Sequence, residues 1–122
     1  MPINFTAQDR IVLLAALHTG RQNATRAIDL ARTLHYPTTG NQVRLRLLIK
    51  ECIEYDEDLI GAATSRPAGF YLISNLSELD TYIDSLERRT SRNNERRTAL
   101  INNWNNNPNL NPKTNRHIRT IQ

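Results

Sequence analysis

Asn41, Gln42, Arg44, Arg46 and Lys50 fall within one stretch of ten residues. These side-chain types meet the edges of bases and the oxygens of phosphates. A guanidinium forks onto guanine, and an Asn or Gln amide onto adenine. The competing reading is a core helix with ordinary polar exposure. Arg66 stands between Ser65 and Pro67 in a short turn. A cation at a turn tip enters a minor groove or touches phosphate, or is simply solvated. Thr64 and Ser65 add hydroxyls for phosphate hydrogen bonds. Further along, Arg88, Arg89, Arg92, Arg96 and Arg97 form a basic band. Arg88, Arg92 and Arg96 read as a phosphate-tracking face, against a solvated helix with internal pairs such as Glu87 with Arg92.

The charge is unevenly distributed. Residues 1–87 hold eight Lys/Arg against eleven Asp/Glu, a net −3, whereas residues 88–122 hold eight Lys/Arg and one acid, Glu95, a net +7. Phosphate attraction, if nucleic acid is bound, is therefore expected mainly from the last third. Glu51, Glu54, Asp56, Glu57 and Asp58 form the opposing acidic stretch. Its spacing lacks the alternating ligands, central glycine and terminal glutamate of a calcium loop. It reads as a solvated loop, with Asp56, Glu57 and Asp58 as a contact for a basic protein partner. No metal or cofactor is expected. The single cysteine, Cys52, leaves no internal disulfide and reads as a small buried hydrophobe. His18, His35 and His117 have no ligand spacing, and no nucleophile elbow or phosphate loop is present. Catalytic residues are therefore expected to be absent. The N-terminus shows no long apolar run, so a cytoplasmic protein without a membrane span is the expectation.

The elements that position these residues follow from periodicity. Thr6 caps a first helix that runs through Leu13 and Leu17 to Thr19-Gly20. A second helix starts near Asn23 to Thr25, carries Ala27, Ile28, Ala31 and Leu34, and stops at Pro37. Asn41 or Thr39 caps a third, which continues to about Tyr55. On that helix Leu45, Leu48, Ile49 and Cys52 share one face, with Val43 and Leu47 nearly opposite. Such a helix is usually covered on more than one side. Leu59 to Ile73 then reads as a β-hairpin, with Pro67 and Gly69 in its turn. A long helix follows from Asn75 or Ser77 to about Trp104, with Asn75 and Glu78, or Ser77 and Asp80, as a reciprocal cap. Leu79, Ile83, Leu86, Thr90, Asn93, Arg97, Leu100 and Trp104 alternate by four and three along it, a heptad with a polar middle. A two-helix homodimer through Leu79, Ile83, Leu86, Asn93, Leu100 and Trp104 is the expected assembly, the alternative being a helix that folds back over the third helix through Leu79, Ile83 and Leu86 only. Asn102 to Gln122, rich in asparagine with Pro108 and Pro112, reads as a poorly ordered basic tail.

The fold class is thus mainly α with a small β-hairpin: a winged helix-turn-helix plus a long C-terminal helix. Residues 1–74 form the winged-helix domain, 75–104 the helix and 105–122 the flexible tail. The chain resembles the small winged-helix proteins common in phages and prophages. Leu45-Arg46 with Ile49 and Cys52, Gly69-Phe70-Tyr71-Leu72-Ile73, and Glu78-Leu79, Tyr82-Ile83 and Leu86-Glu87-Arg88-Arg89 carry the likeness. Where that family usually has a Gly-Tyr-Pro turn before the wing, this chain has Tyr55-Asp56-Glu57-Asp58. The resemblance implies binding to double-stranded DNA through the helix from Asn41 and the wing at Arg66, as a transcription regulator or a replication or recombination accessory. A different class also fits the acidic body and the apolar third helix: a protein-interaction module that docks a host or viral complex.

Overall fold

Thr6 opens the first helix with a reciprocal cap. In the computed structural model, which describes residues 5–65, 67–87 and 94–114, the Thr6 hydroxyl accepts from the Asp9 amide at 3.1 Å and the Asp9 carboxylate accepts from the Thr6 amide at 2.9 Å. Two N-terminal donors are thereby satisfied, and α1 runs Ala7–Ala16. A 3-10 turn at Arg21–Asn23 precedes α2, Ala27–Thr33, so the second helix starts later than its sequence implied. It ends before Pro37 as well. The Tyr36 amide donates to Ala31 O at 2.8 Å and the His35 amide to Arg32 O at 3.1 Å, a Schellman ending with His35 in the left-handed conformation at φ +61°.

The third helix, α3, runs Val43–Tyr55. Neither Asn41 nor Thr39 caps it. Gln42 is the N-cap, left-handed at φ +51° and without a side-chain cap bond. Its amide instead donates to Thr38 O at 2.8 Å and Gly40 O at 3.0 Å, bracing the turn. Strands β1 (Ile60–Ala63) and β2 (Gly69–Leu72) pair antiparallel, with Ile60 opposite Leu72 and Ala63 opposite Gly69. The outer edge of β2 is also engaged. Thr25 and Phe70 exchange both backbone bonds at 2.9 and 2.8 Å, and Leu72 bonds His18 O and the Gly20 amide, each at 2.8 Å. The α1–α2 connection thus serves as a third backbone segment beside the hairpin, which blunts an open edge.

The expected long helix is two helices: α4, Leu76–Glu87, and α5, Asn94–Asn106. They pack against each other, and α5 also packs along α3. A continuous helix over 75–104 would run about 45 Å at ~1.5 Å per residue, and its halves could not meet. The seam keeps its four-three spacing on each half, but the halves turn inward on the same core. Leu79, Ile83, Leu86, Leu100 and Trp104 are all buried with Leu13, Leu30, Leu45, Leu48 and Ile49 in one cluster. The side chains expected at a two-helix dimer seam are thus covered within a single chain, and Asn93 lies outside the described residues. The beginning of the supposed flexible tail is also folded. The Trp104 indole N–H donates to Pro112 O at 2.9 Å, and Asn105 and Thr114 exchange bonds at 3.0 and 3.2 Å. These bonds fasten residues 107–114 against the end of α5.

Among the described residues, no helix is long and apolar enough to cross a membrane.

Candidate nucleic-acid interface

The two apolar faces of α3 lie where the sequence implied, but the second is not covered as expected. Leu45, Leu48, Ile49 and Cys52 are buried, whereas Val43 is 64% and Leu47 44% exposed. Arg44 and Arg46 are two residues apart, roughly 200° around a helix at ~3.6 residues per turn, and they leave α3 on different sides. The Arg44 guanidinium lies 4.7 Å from the Phe5 ring centre and 5.1 Å from that of Tyr36. Arg46 turns toward the hairpin, 5.5 Å from the Phe70 ring centre, with its Nε donating to Asn41 O at 2.6 Å. Two arginines that the sequence grouped together are therefore separated by the helix. Lys50 lies on the solvent face, 3.5 Å from Glu54.

Arg46 faces a groove of about 410 Å³ between the starts of α2 and α3, the hairpin, α4 and the start of α5. Arg26, Arg46 and Arg96 line it, with Gln42, Thr64, Phe70 and Tyr82, and among the described residues no carboxylate lines it. Arg26 is also paired with Asp29 at 3.0 Å. Of the residues the sequence assigned to DNA, Gln42, Arg46 and Arg96 meet here. Asn41 adjoins through its carbonyl, Arg44 and Lys50 lie elsewhere on α3, and Arg66, Arg88 and Arg92 fall outside the described residues.

Arg26 and Arg21 were not singled out from sequence, and only the pairing of the α1–α2 connection with β2 brings them to the hairpin. Arg21 donates to Ser65 O and Oγ, both at 3.1 Å, and to Pro67 O at 3.4 Å. It thus holds the hairpin loop. Its own amide donates to Glu78 Oε2 at 2.9 Å. Glu78 Oε1 accepts from the Ser74 amide and hydroxyl, both at 2.9 Å, while Asn75 Oδ1 accepts from the Glu78 amide at 2.9 Å. The cap expected at the head of α4 is present, with its return bond moved from Asn75 to Ser74. Burial pushes the Glu78 carboxyl up, but the bonds from Arg21 and Ser74 and the nearby Arg21 charge outweigh it and hold the group below its ordinary 4.5.

Charge on α3 runs against helix stability. Arg44 and Arg46 occupy its first turn, where no acid is present, while Glu51 and Glu54 lie in its last two turns and Asp56, Glu57 and Asp58 follow. The helix dipole favours the reverse order. One end of α3 therefore carries an uncapped, positive terminus beside the arginine groove. The other end, about 18 Å away at ~1.5 Å per residue, is acidic.

That acidic end is not the freely solvated loop expected from sequence. Asp56 pairs with Arg10 at 2.5 Å. Asp58 is half-buried, and burial and the neighbouring Asp56 push its carboxyl up to about 6, against the Cys52 thiol hydrogen bond and the Arg10 charge. Cys52 is fully buried, and desolvation and then Asp58 raise its thiol to about 12. Ligand atoms of Cys52, Asp56 and Asp58 lie within 4.8 Å of one another. A metal there would have to displace both a thiol proton and Arg10. Of the proposed acidic contact, Glu57 alone remains an exposed carboxylate with no described partner.

The chain matches no known family model, no curated protein and no solved structure. The functional reading therefore rests on its own residues and geometry.

Proposed function

We propose that this chain binds double-stranded DNA as a winged helix-turn-helix, without catalysis, the start of α3 and the hairpin being its two contacting parts. The observation that carries this reading is the convergence of Arg26, Arg46 and Arg96, from three different helices or their caps, on one groove that no carboxylate lines among the described residues. The uncapped N-terminus of α3 adds backbone donors and a positive dipole end, which favour phosphate. Arg21 holds the hairpin loop at Ser65, and Thr64 before it lines the same groove as Gln42 at that terminus. Arginines placed against the dipole lower helix stability, and a phosphate partner supplies the compensating charge.

Titration of a short labelled duplex by fluorescence anisotropy at low and moderate salt tests this reading, followed by selection from a random duplex library. Salt-sensitive binding is expected. Arg46→Ala and Arg96→Ala should each weaken it, while Arg44→Ala, on the other side of α3, should leave it nearly intact. Absence of binding at low salt, or equal losses in all three variants, would defeat the proposal.

A second reading draws on a separate observation. Val43 and Leu47 on α3, and Ile11 and Val12 on α1, are 41–64% exposed. Such apolar side chains support a protein-interaction module. Its sign would be loss of a partner contact on Leu47→Ser with duplex binding unchanged.

A further inference from the structure

We infer that the groove between α2, α3 and the hairpin is a nucleoside-phosphate pocket, taking either a free mononucleotide or one unstacked nucleotide of a strand. This rests on the reading of the same arginines as a nucleic-acid site, and it specifies what enters. A duplex is wider than such a groove and is met by its rim. The volume of about 410 Å³ falls within the range of ~300–1,000 Å³ common for small-ligand sites. Its chemistry is two-part. Arg26, Arg46 and Arg96 supply cations for a phosphate. Ala62, Ala63 and Phe70 of the hairpin, with Tyr82 of α4, supply an apolar and aromatic wall for a base. Gln42 lines the same groove, and with its amide nitrogen donating to Thr38 O and Gly40 O it offers the amide oxygen as an acceptor. A crevice of about 70 Å³ shares Arg46, Phe70 and Arg96 with the groove and adds Ile49. Cations are thus set directly beside the apolar wall. A site for phosphate alone has no use for that wall, and a site for an apolar ligand has no use for three arginines.

The test is amide chemical-shift mapping of the full chain with deoxyadenosine 5′-monophosphate, deoxyadenosine, inorganic phosphate and a short single-stranded oligonucleotide as separate probes. The expected result is saturable shifts at Gln42, Gly69 and Phe70 with the monophosphate, and binding about tenfold weaker for the nucleoside or for phosphate alone. Arg46→Ala should weaken the monophosphate about tenfold. Ala63→Leu should block the wall, and Ala68→Leu, at an exposed position on the same groove, serves should the first variant fail to fold. Tighter binding of the oligonucleotide than of the monophosphate assigns the pocket to an unstacked strand; equal binding assigns it to a free nucleotide. Phosphate binding as well as the nucleotide, or no shifts at these amides, overturns the inference. Duplex binding without any nucleotide effect sinks this pocket and leaves the DNA proposal standing. Nucleotide binding without duplex binding does the converse.

Discussion

Single residues in this chain carry burdens that nearest neighbours do not reveal. Gly69 sits at φ +132°, and a Cβ there would lie 2.0 Å from Thr25 O. Gly69→Ala is expected to destabilise the fold by more than about 3 kcal/mol, through both the backbone conformation and the backbone clash; urea denaturation measures it. His35 shows the opposite case. It occupies the left-handed position of the Schellman ending of α2, which costs an L-residue about 1–2 kcal/mol. His35→Gly should therefore raise stability by about 1 kcal/mol, and an unchanged or lower urea midpoint would refute the assignment of strain there. Asp58 gives a pH signature. Its folded pKa of about 6 lies above its ordinary 3.8, so the folded state binds more protons between those values. The stability that Asp58 contributes is present below about 4 and is lost as pH rises to about 6. Relative to the wild type, Asp58→Asn should therefore gain in melting temperature between pH 4 and pH 7. Glu78, held low by its hydrogen bonds, works in reverse: its stabilisation is present above pH 4.5 and is lost on acidification.

At the scale of elements, α5 decides how the helices close. Asn103 is buried and its amide donates to Ile53 O and Asp58 O, both at 2.9 Å. It ties α5 both to the last turn of α3 and to the loop beyond. Asn103→Ala would strand these carbonyls and is expected to cost about 1–3 kcal/mol. Leu47, on the outer face of the same α3, should tolerate Ser within about 0.5 kcal/mol, whereas Leu48→Ala in the core should cost about 2–5 kcal/mol. The contrast between adjacent positions is checked by equilibrium unfolding of the two variants, and similar losses would mean that the outer face is covered. The exposed apolar pair on α3 also marks what α5 leaves uncovered. The helix packs along α3 but leaves Val43 and Leu47 in solvent.

At the scale of the whole molecule, and among the described residues, cations far apart along the chain meet near the hairpin. Counting along the sequence assigned the basic character to residues 88–122. Most of the cations there lie outside the described residues; among the described, Arg21, Arg26 and Arg46, all from the acidic first part, lie near the hairpin together with Arg96. The acids of the α3 C-terminus gather at the far end. In the proposed reading, this arginine cluster orients an approaching polyanion. In the duplex titration, each of Arg46→Ala and Arg96→Ala should therefore reduce the slope of log affinity against log salt by about 1. Arg44→Ala should leave that slope unchanged, because its guanidinium lies over Phe5 and Tyr36 on the other side.

The sequence by itself determined the order of the first three helices and the hairpin, the cap at Thr6, and the split faces of α3, and it narrowed the head of α4 to Asn75 or Ser77. These follow from bonds three residues apart and from helical periodicity, both local in the chain. Only the tertiary structure decided that the heptad seam folds back on one core, because a four-three spacing fits a long helix and two packed short ones equally well. It also decided that Arg46 joins Arg26 and Arg96 while Arg44 does not, that Arg10 occupies Asp56, and that Trp104 holds the segment around Pro112. Most of these pairings join residues tens of positions apart, and no local propensity or spacing encodes which distant partner a side chain will meet.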